Sequence, residues 1–372
     1  MRLRGGGVTC GMTAPGISPF RNPVLWGLSL AAVGIRWFSS DPSRVEDWYS
    51  GRFYPPLSRL MRGLTGPIPL SLGDVFYGFL AVWLVWLAFR AVRTLRREGW
   101  GGLFNMELLG RTLTVLLAFY VAFNLSWGLN YDRLGIAHQL GLEPEVSDTA
   151  DLQGLTEELL LETNRYAAAS DRLRRMETDD LLRRTLDAYR EAVGVFPFLG
   201  YRPHSVKASL FGALGNHLGY TGYYNPFSAE AQLNDAIPRV LKPFVLCHEV
   251  AHQLGYAHES EANFVGFLAA RSSKDSAFLY SAYFDMFLYA NGALYAQDSA
   301  QSRRNLTLLD TAARRDLAEL RAFRLRYQGP VERFIDVVYD RFLKWNRQPQ
   351  GRASYSQVVR WLLAYRRKEG GI

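Results

Sequence analysis

The sequence predicts an α+β protein: three apolar helices in the N-terminal third, then a mostly helical domain built around a small sheet. Three observations carry this. Long apolar runs are confined to the chain before residue 130. Apolar residues recur at three- and four-residue spacing from Glu143 to about Gly194 and again from Pro238 nearly to the end. Between Gly200 and Asp235 the texture changes to Gly, Tyr, Phe, Asn and Pro. At 372 residues the chain is long enough for one large domain or two smaller ones.

The apolar runs come first. They are "PVLWGLSLAAVGIRWFSS" (Pro23 to Ser40), "LSLGDVFYGFLAVWLVWLAF" (Leu70 to Phe89) and "TLTVLLAFYVAFNLSWGL" (Thr112 to Leu129). Each approaches the roughly 20 residues a helix needs to cross a bilayer. Trp26, Trp37, Trp86 and Trp127 lie near their ends, as interfacial tryptophans do. Arg36 is near the far end of the first run, where its side chain can snorkel. No small-x-small cleavage site follows that run, so it reads as a span and not as a signal peptide.

Orientation follows from arginine. The N-terminal tail and the loop after the second run carry Arg2, Arg4, Arg21, Arg90, Arg93, Arg96, Arg97 and Arg111. The loop between the first two runs carries four arginines, offset by Asp41, Glu46 and Asp47. The tally places the tail inside. The expected layout is a cytoplasmic tail over 1–22, a membrane anchor over 23–129 with spans at about 23–40, 70–89 and 112–129, and an extracytoplasmic domain over 130–372. That is a multi-pass protein of the cell membrane, with the lipid bilayer as a partner.

The remaining composition excludes more than it suggests. Net charge is +8, but no nucleic-acid-binding module accompanies it. Two cysteines, Cys10 and Cys247, are too few for a disulfide framework or a CxxC knuckle. "HSVKASLF", "TGYYNPF" and "EAQLN" read as short strands joined by turns.

The chemistry concentrates in "CHEVAHQLGYAHESEANF", Cys247 to Phe264, which holds three of the six histidines. His248 and His252 are four apart, so on a helix they share a face, with Glu249 turned by about 100°. This is HExxH: two zinc ligands, and a carboxylate placed to take a proton from water. Val245, Leu246, Val250, Ala251 and Leu254 surround the histidines with apolar groups. Two buried imidazoles without partners would be costly, which favours a metal. A catalytic Zn2+ wants a third protein ligand. Gly255 can end the helix in a left-handed cap and turn the chain back, offering His258, Glu259 or Glu261. Glu259-Ser-Glu-Ala-Asn263 resembles the ExxAD segment of gluzincin peptidases, which implies Glu259 as the ligand, and Asn263, on the same face, can orient a ligand from behind. HExxHxxGxxH, ending at His258, is the competing pattern.

The string "WGLNYDR", then "GYYNPFSAEAQLN", "HEVAHQLGYAHESEANF" and "FLKWNRQPQGRASYSQVVRWLL", in that order, resembles the bacterial family of domain of unknown function 3810. The resemblance covers nearly the whole chain. It implies a three-helix anchor and a gluzincin-like, zincin-type metallopeptidase domain, and it supplies no substrate. In zinc peptidases a strand beside the active-site helix pairs with substrate backbone; "GYYNPFSAEAQLN" is the candidate here. Tyr224, or its neighbour Tyr223, would donate to the oxyanion, with Tyr355 a weaker candidate.

The reading is therefore a membrane-anchored zinc metallopeptidase acting on peptide or protein. His248, His252 and Glu259 would hold the metal and Glu249 would be the general base. The main alternative is a non-catalytic zinc-binding envelope scaffold derived from a peptidase fold. A transporter with Asp74 and Arg36 along its path is a third reading. Oligomeric state is not legible.

Overall fold

The computed structural model describes residues 22–100, 106–143, 148–330, 334–335, 337–338, 340–341 and 355–372. The expected cytoplasmic tail lies, but for residue 22, outside the described residues, as does all of the "FLKWNRQPQGRAS" stretch. Of Tyr355 only the backbone is described.

Helix α1 spans Pro23–Phe38, 16 residues. At 1.5 Å per residue it is about 24 Å long, short of the roughly 30 Å hydrocarbon core. Among the described residues two helices, and not the three expected, are long and apolar enough to cross a bilayer: α3, Leu72–Glu98, and α4, Met106–Ser126. Helix α3 runs well past the expected end at Phe89. Residues 90–97 are good helix formers, and the stop comes only at Gly99, whose φ of +65° suits glycine alone.

Two compact units partition the chain. One runs through Trp37 and takes Ala81–Ala122; the other joins Phe38–Leu80 to Phe123–Ile372. Residues 41–69, expected as a loop between spans, are thus part of the larger unit. They form a π-helical turn, Val45–Phe53, running into helix α2, Tyr54–Thr65. Hydropathy missed this helix because it buries Tyr54, Ser58, Arg62 and Thr65 and leaves Leu60 and Leu64 outside.

The rest of the larger unit is helical, as its periodicity predicts. It contains α5 (Gly135–Leu140), α6 (Thr149–Tyr166) and α7 (Thr178–Ala192), then α8 (Gly212–Leu218). After the sheet come α9 (Lys242–Gln253), α10 (Glu259–Arg271), α11 (Ser276–Tyr295), α12 (Ser299–Thr307), α13 (Thr311–Tyr327) and α14 (Tyr355–Glu369). Asp148, Asp275, Asp298 and Asp310 each accept a backbone N–H at a helix start. Leu246, Val250, Phe264, Phe267, Phe284 and Phe287 are fully buried where α9, α10 and α11 meet.

The three expected strands form. They are β1 (Val206–Ala208), β2 (Gly222–Asn225) and β3 (Glu230–Leu233), in the order β1-β3-β2. β1 runs parallel to β3 with Val206 opposite Ala231; β2 runs antiparallel with Tyr224 opposite Ala231. The turn between the second and third strands is short, whereas the one between the first two holds α8.

Buried carboxylates fasten the sheet to the start of α3. Glu230 accepts the backbone N–H of Leu72 at 3.1 Å and that of Gly73, and pairs with Lys207. A negative group at a helix N-terminus is favoured by the orphan N–H groups and the dipole. Asp74 accepts the Leu210 N–H at 2.6 Å and the Tyr223 hydroxyl. Asp74 is thus a buried tie between α3 and the sheet.

The chain reverses after α9 at Gly255, whose φ is +91°. A Cβ there would meet Asn130 Oδ1 and a Tyr54 ring carbon, each at 3.0 Å. Gly255→Ala is expected to destabilise the larger unit by about 1–3 kcal/mol, combining a left-handed backbone with crowding. Thermal unfolding in detergent checks this; an unchanged midpoint would contradict it.

Candidate metal centre

Helix α9 is buried along almost its whole length, so its polar residues need partners. His248 and His252 sit one turn apart, and their Nε2 atoms are 3.1 Å from each other. His252 Nδ1 donates to the Tyr256 carbonyl at 2.7 Å. That bond fixes the tautomer and leaves Nε2 as a lone pair aimed at His248.

Helix α10 brings the acid. Of the three candidates beyond Gly255, Glu259 has its carboxylate beside both imidazoles: Oε2 is 3.3 Å from His248 Nε2 and Oε1 is 3.7 Å from His252 Nε2. His258 turns away, its Nε2 2.9 Å from the Tyr131 carbonyl. Glu261 also turns away, accepting the Ile136 N–H at 3.0 Å. Glu259, Asn263 and Gly266 follow helical spacing on one face of α10. Gly266 lets that face approach closely, since a Cβ there would lie 2.9 Å from His248 N and 3.0 Å from its Cα. The glycine was readable in the sequence as a helix-packing residue, but its partner was not.

Asn263 is buried, and its Nδ2 and the Nδ1 of His248 are both buried without a hydrogen-bond partner. The amide lies close enough to His248 to favour its charged form.

Glu249 lies beside the pair. His248, Glu249 and His252 each offer a ligand atom within 4.8 Å of the others, so the group could hold a metal ion. Glu249 Oε2 is buried and unpartnered. Burial pushes its carboxyl up to about 7, against the opposing pull of the two imidazoles. Gly222 of β2 makes room for it: a Cβ at that position would be 2.6 Å from Glu249 Oε1.

That contact places β2 alongside the centre. Asn234 N donates to the Thr221 carbonyl at 3.0 Å. Alternation then leaves the backbone groups of Gly222 and Tyr224 pointing away from β3, and no strand among the described residues pairs with that edge. Tyr224 is buried, with its hydroxyl 3.3 Å from that of Tyr54. The Tyr223 hydroxyl donates to Asp74 on the opposite face.

Other contributors were invisible in the motif. Trp127 reads as an interfacial tryptophan, but it is buried and its indole N–H donates to the His252 carbonyl at 3.2 Å. Arg133 forms a buried bidentate pair with Glu46 at 2.6 and 2.9 Å and donates to the Gly255 carbonyl at 3.1 Å. Asp285 of α11 feels the charge of His248, and burial pushes its carboxyl up to about 6.

Residues 49–363 match the family described as "Protein of unknown function (DUF3810)". The chain belongs to the DUF3810 family. No curated protein and no solved structure matches it. The DUF3810 match takes in His248, Glu249, His252, Glu259 and Asn263, together with α2, α3 and α4.

The charges at the centre predict a stability optimum. Burial alone would lower the His248 pKa, but the Glu259 hydrogen bond and the Glu249 and Glu259 charges outweigh it and raise the pKa above 6.5. Burial would raise that of Glu259, but both imidazoles outweigh it and hold the carboxyl well below 4.5. With metal chelated, the pair's stabilisation is therefore complete between 4.5 and 6.5. It fades as pH falls through the depressed carboxylate pKa, and as pH rises through the raised imidazole pKa. Glu259→Gln should flatten both limbs in pH-dependent thermal melts; an unaltered profile would refute the pairing.

Proposed function

We propose that this DUF3810 protein is a membrane-anchored, zinc-dependent metallopeptidase. The observation that carries the reading is the convergence of His248 Nε2, His252 Nε2 and the Glu259 carboxylate at 3.1, 3.3 and 3.7 Å from one another. Ligands bound to one tetrahedral zinc at about 2.0–2.2 Å would be separated by about 3.4 Å. Two facing imidazole lone pairs and a carboxylate are also the donor chemistry zinc prefers. The Nδ1 of His248 and the buried amide of Asn263 beside it are placed for an orienting hydrogen bond.

Zinc held by His248, His252 and Glu259 would supply Lewis acidity and would lower the pKa of water towards 7. Glu249 takes the proton from the attacking water and hands it to the leaving amine. Its buried, unpartnered Oε2 beside the proposed ligands supports that role. The outward-facing backbone of Gly222 and Tyr224 would receive an extended peptide by strand addition, with the scissile bond brought to Glu249 by the absent side chain at 222. The Tyr224 hydroxyl would reach an oxyanion only by leaving Tyr54. Arg90, Arg93, Arg96 and Arg97, between the two bilayer-length stretches, support a placement of the larger unit outside the cytoplasm.

Purified full-length protein is expected to carry one zinc per chain by elemental analysis, lost in His248→Ala, His252→Ala and Glu259→Ala. Glu249→Gln should keep the metal and lose activity against a peptide library by roughly 10²–10⁴-fold. Stoichiometric zinc with no cleavage of any library peptide would favour the scaffold reading. A chain that binds no zinc would end both.

A second expectation concerns the strand. Gly222→Val should displace Glu249 and reduce cleavage by at least about tenfold while leaving zinc content unchanged, since it touches the base and none of the ligands. Loss of zinc in that variant would show that β2 supports the ligands instead.

A further inference from the structure

Helix α2 is built inside out. Its buried positions, Tyr54, Ser58, Arg62 and Thr65, are spaced as one helical face. Each is held by protein. The Tyr54 and Ser58 hydroxyls donate to the Gln253 carbonyl at 3.0 and 2.9 Å. The Arg62 guanidinium lies 4.8 Å over the Tyr201 ring, and Thr65 pairs with Ser205 at 2.9 Å. The outer side carries Leu60 and Leu64, with Phe53 just before the helix; they are 62%, 67% and 50% exposed. The exposed apolar run continues along the chain through Ile68 and Leu70 into the first turns of α3, where Phe79 is almost bare. All of these residues lie in the larger unit.

We propose that α2 is an interfacial helix whose outer face beds into the phospholipid bilayer, so that the bilayer presses on the C-terminal end of the α9 helix. Three observations name lipid as the occupant. First, α2 grips the Gln253 carbonyl, and the neighbouring carbonyl of His252 is held by Trp127, the residue that directly follows the bilayer-length helix α4. Helix α2 therefore lies at the level where that helix ends. Secondly, six residues separate Thr65 from Leu72, the start of the other bilayer-length helix. Both helix ends that bracket α2 are on the same side of a hairpin crossing. Thirdly, the rim suits headgroups. Residues 54–65 contain no acid, Arg59 is exposed, and Arg52 lies 4.4 Å over the exposed ring of Trp48. Cation and indole at the edge of an apolar face are what an amphipathic helix presents to anionic lipid.

The test uses the full chain with Cys10→Ser, reconstituted in nanodiscs of phosphatidylcholine and phosphatidylglycerol; Cys247 is buried and does not label. Spin labels are placed at Leu60→Cys, Leu64→Cys and, as an aqueous control, Arg183→Cys. Oxygen accessibility at 60 and 64 should exceed that of a water-soluble nickel complex by roughly threefold or more, and the order should reverse at 183. Nickel accessibility dominating at 60 and 64 would overturn the proposal in favour of water. Low accessibility to both, with dipolar broadening between labels, would overturn it in favour of a second copy of the chain. In the unsubstituted chain, a diazirine-bearing phospholipid should label residues 53–64. No adducts there, with adducts in α3 or α4, would overturn it independently of the labelled variants.

Discussion

The turn at Gly255 is the constraint on which the centre depends. His248 and His252 belong to α9 and Glu259 to α10, so they meet only if the chain reverses within five residues. The reversal satisfies a Schellman pattern: Tyr256 N donates to the Ala251 carbonyl at 3.2 Å and Gly255 N to that of His252 at 3.0 Å. Tyr256 then turns its own carbonyl to His252 Nδ1. One five-residue turn thus caps the helix, sets the tautomer of a histidine and delivers the carboxylate.

That turn is buried, and a buried helix end carries carbonyls that must find donors. Those of Gln253 and Gly255 are left over by the Schellman bonds. Tyr54, Ser58 and Arg133 supply donors, and Trp127 adds one to His252. An unsatisfied carbonyl costs about 1–3 kcal/mol, so leaving both open would consume a large share of a typical domain's stability. This explains why residues 41–69 and 127–133 fold against α9 and do not loop freely: they complete its hydrogen bonding. Glu46 is needed in turn because Arg133 is itself buried and would otherwise be an unpaired charge.

How much of this was legible follows from the same physics. The three strands, the helices after Glu143 and the left-handed glycine were readable because each rests on a local rule: alternation, periodicity, or the φ that only glycine tolerates. HExxH was readable because i,i+4 spacing alone puts two rings together. Helix α2 was not, because Leu60 and Leu64 point outward, and a hydropathy pattern cannot say which side of an amphipathic helix faces protein. Trp127 was misread for a related reason. A tryptophan at the end of an apolar run has the same local signature whether its indole N–H meets a headgroup or a helix carbonyl 125 residues away. The first apolar run was counted as a span because composition fixed its character, whereas its ordered length is set by the bend after Phe38, which composition does not encode.

Glu249 stands apart from this economy of satisfied groups. Around it the buried polar groups Gln253, Glu230, Asp74 and Arg133 each find partners. Its Oε2, the Nδ1 of His248 and the Nδ2 of Asn263 do not. Unpartnered buried atoms occur elsewhere too, among them Arg62 Nη1, Asn225 Nδ2 and Trp361 Nε1, but a buried carboxylate oxygen left open contributes nothing to stability. Gly222 sharpens the point: the strand forgoes a side chain where any Cβ would collide with that carboxylate. Three unpartnered atoms on the facing helices α9 and α10, with space preserved beside one of them, are what a binding or catalytic role at this centre would require.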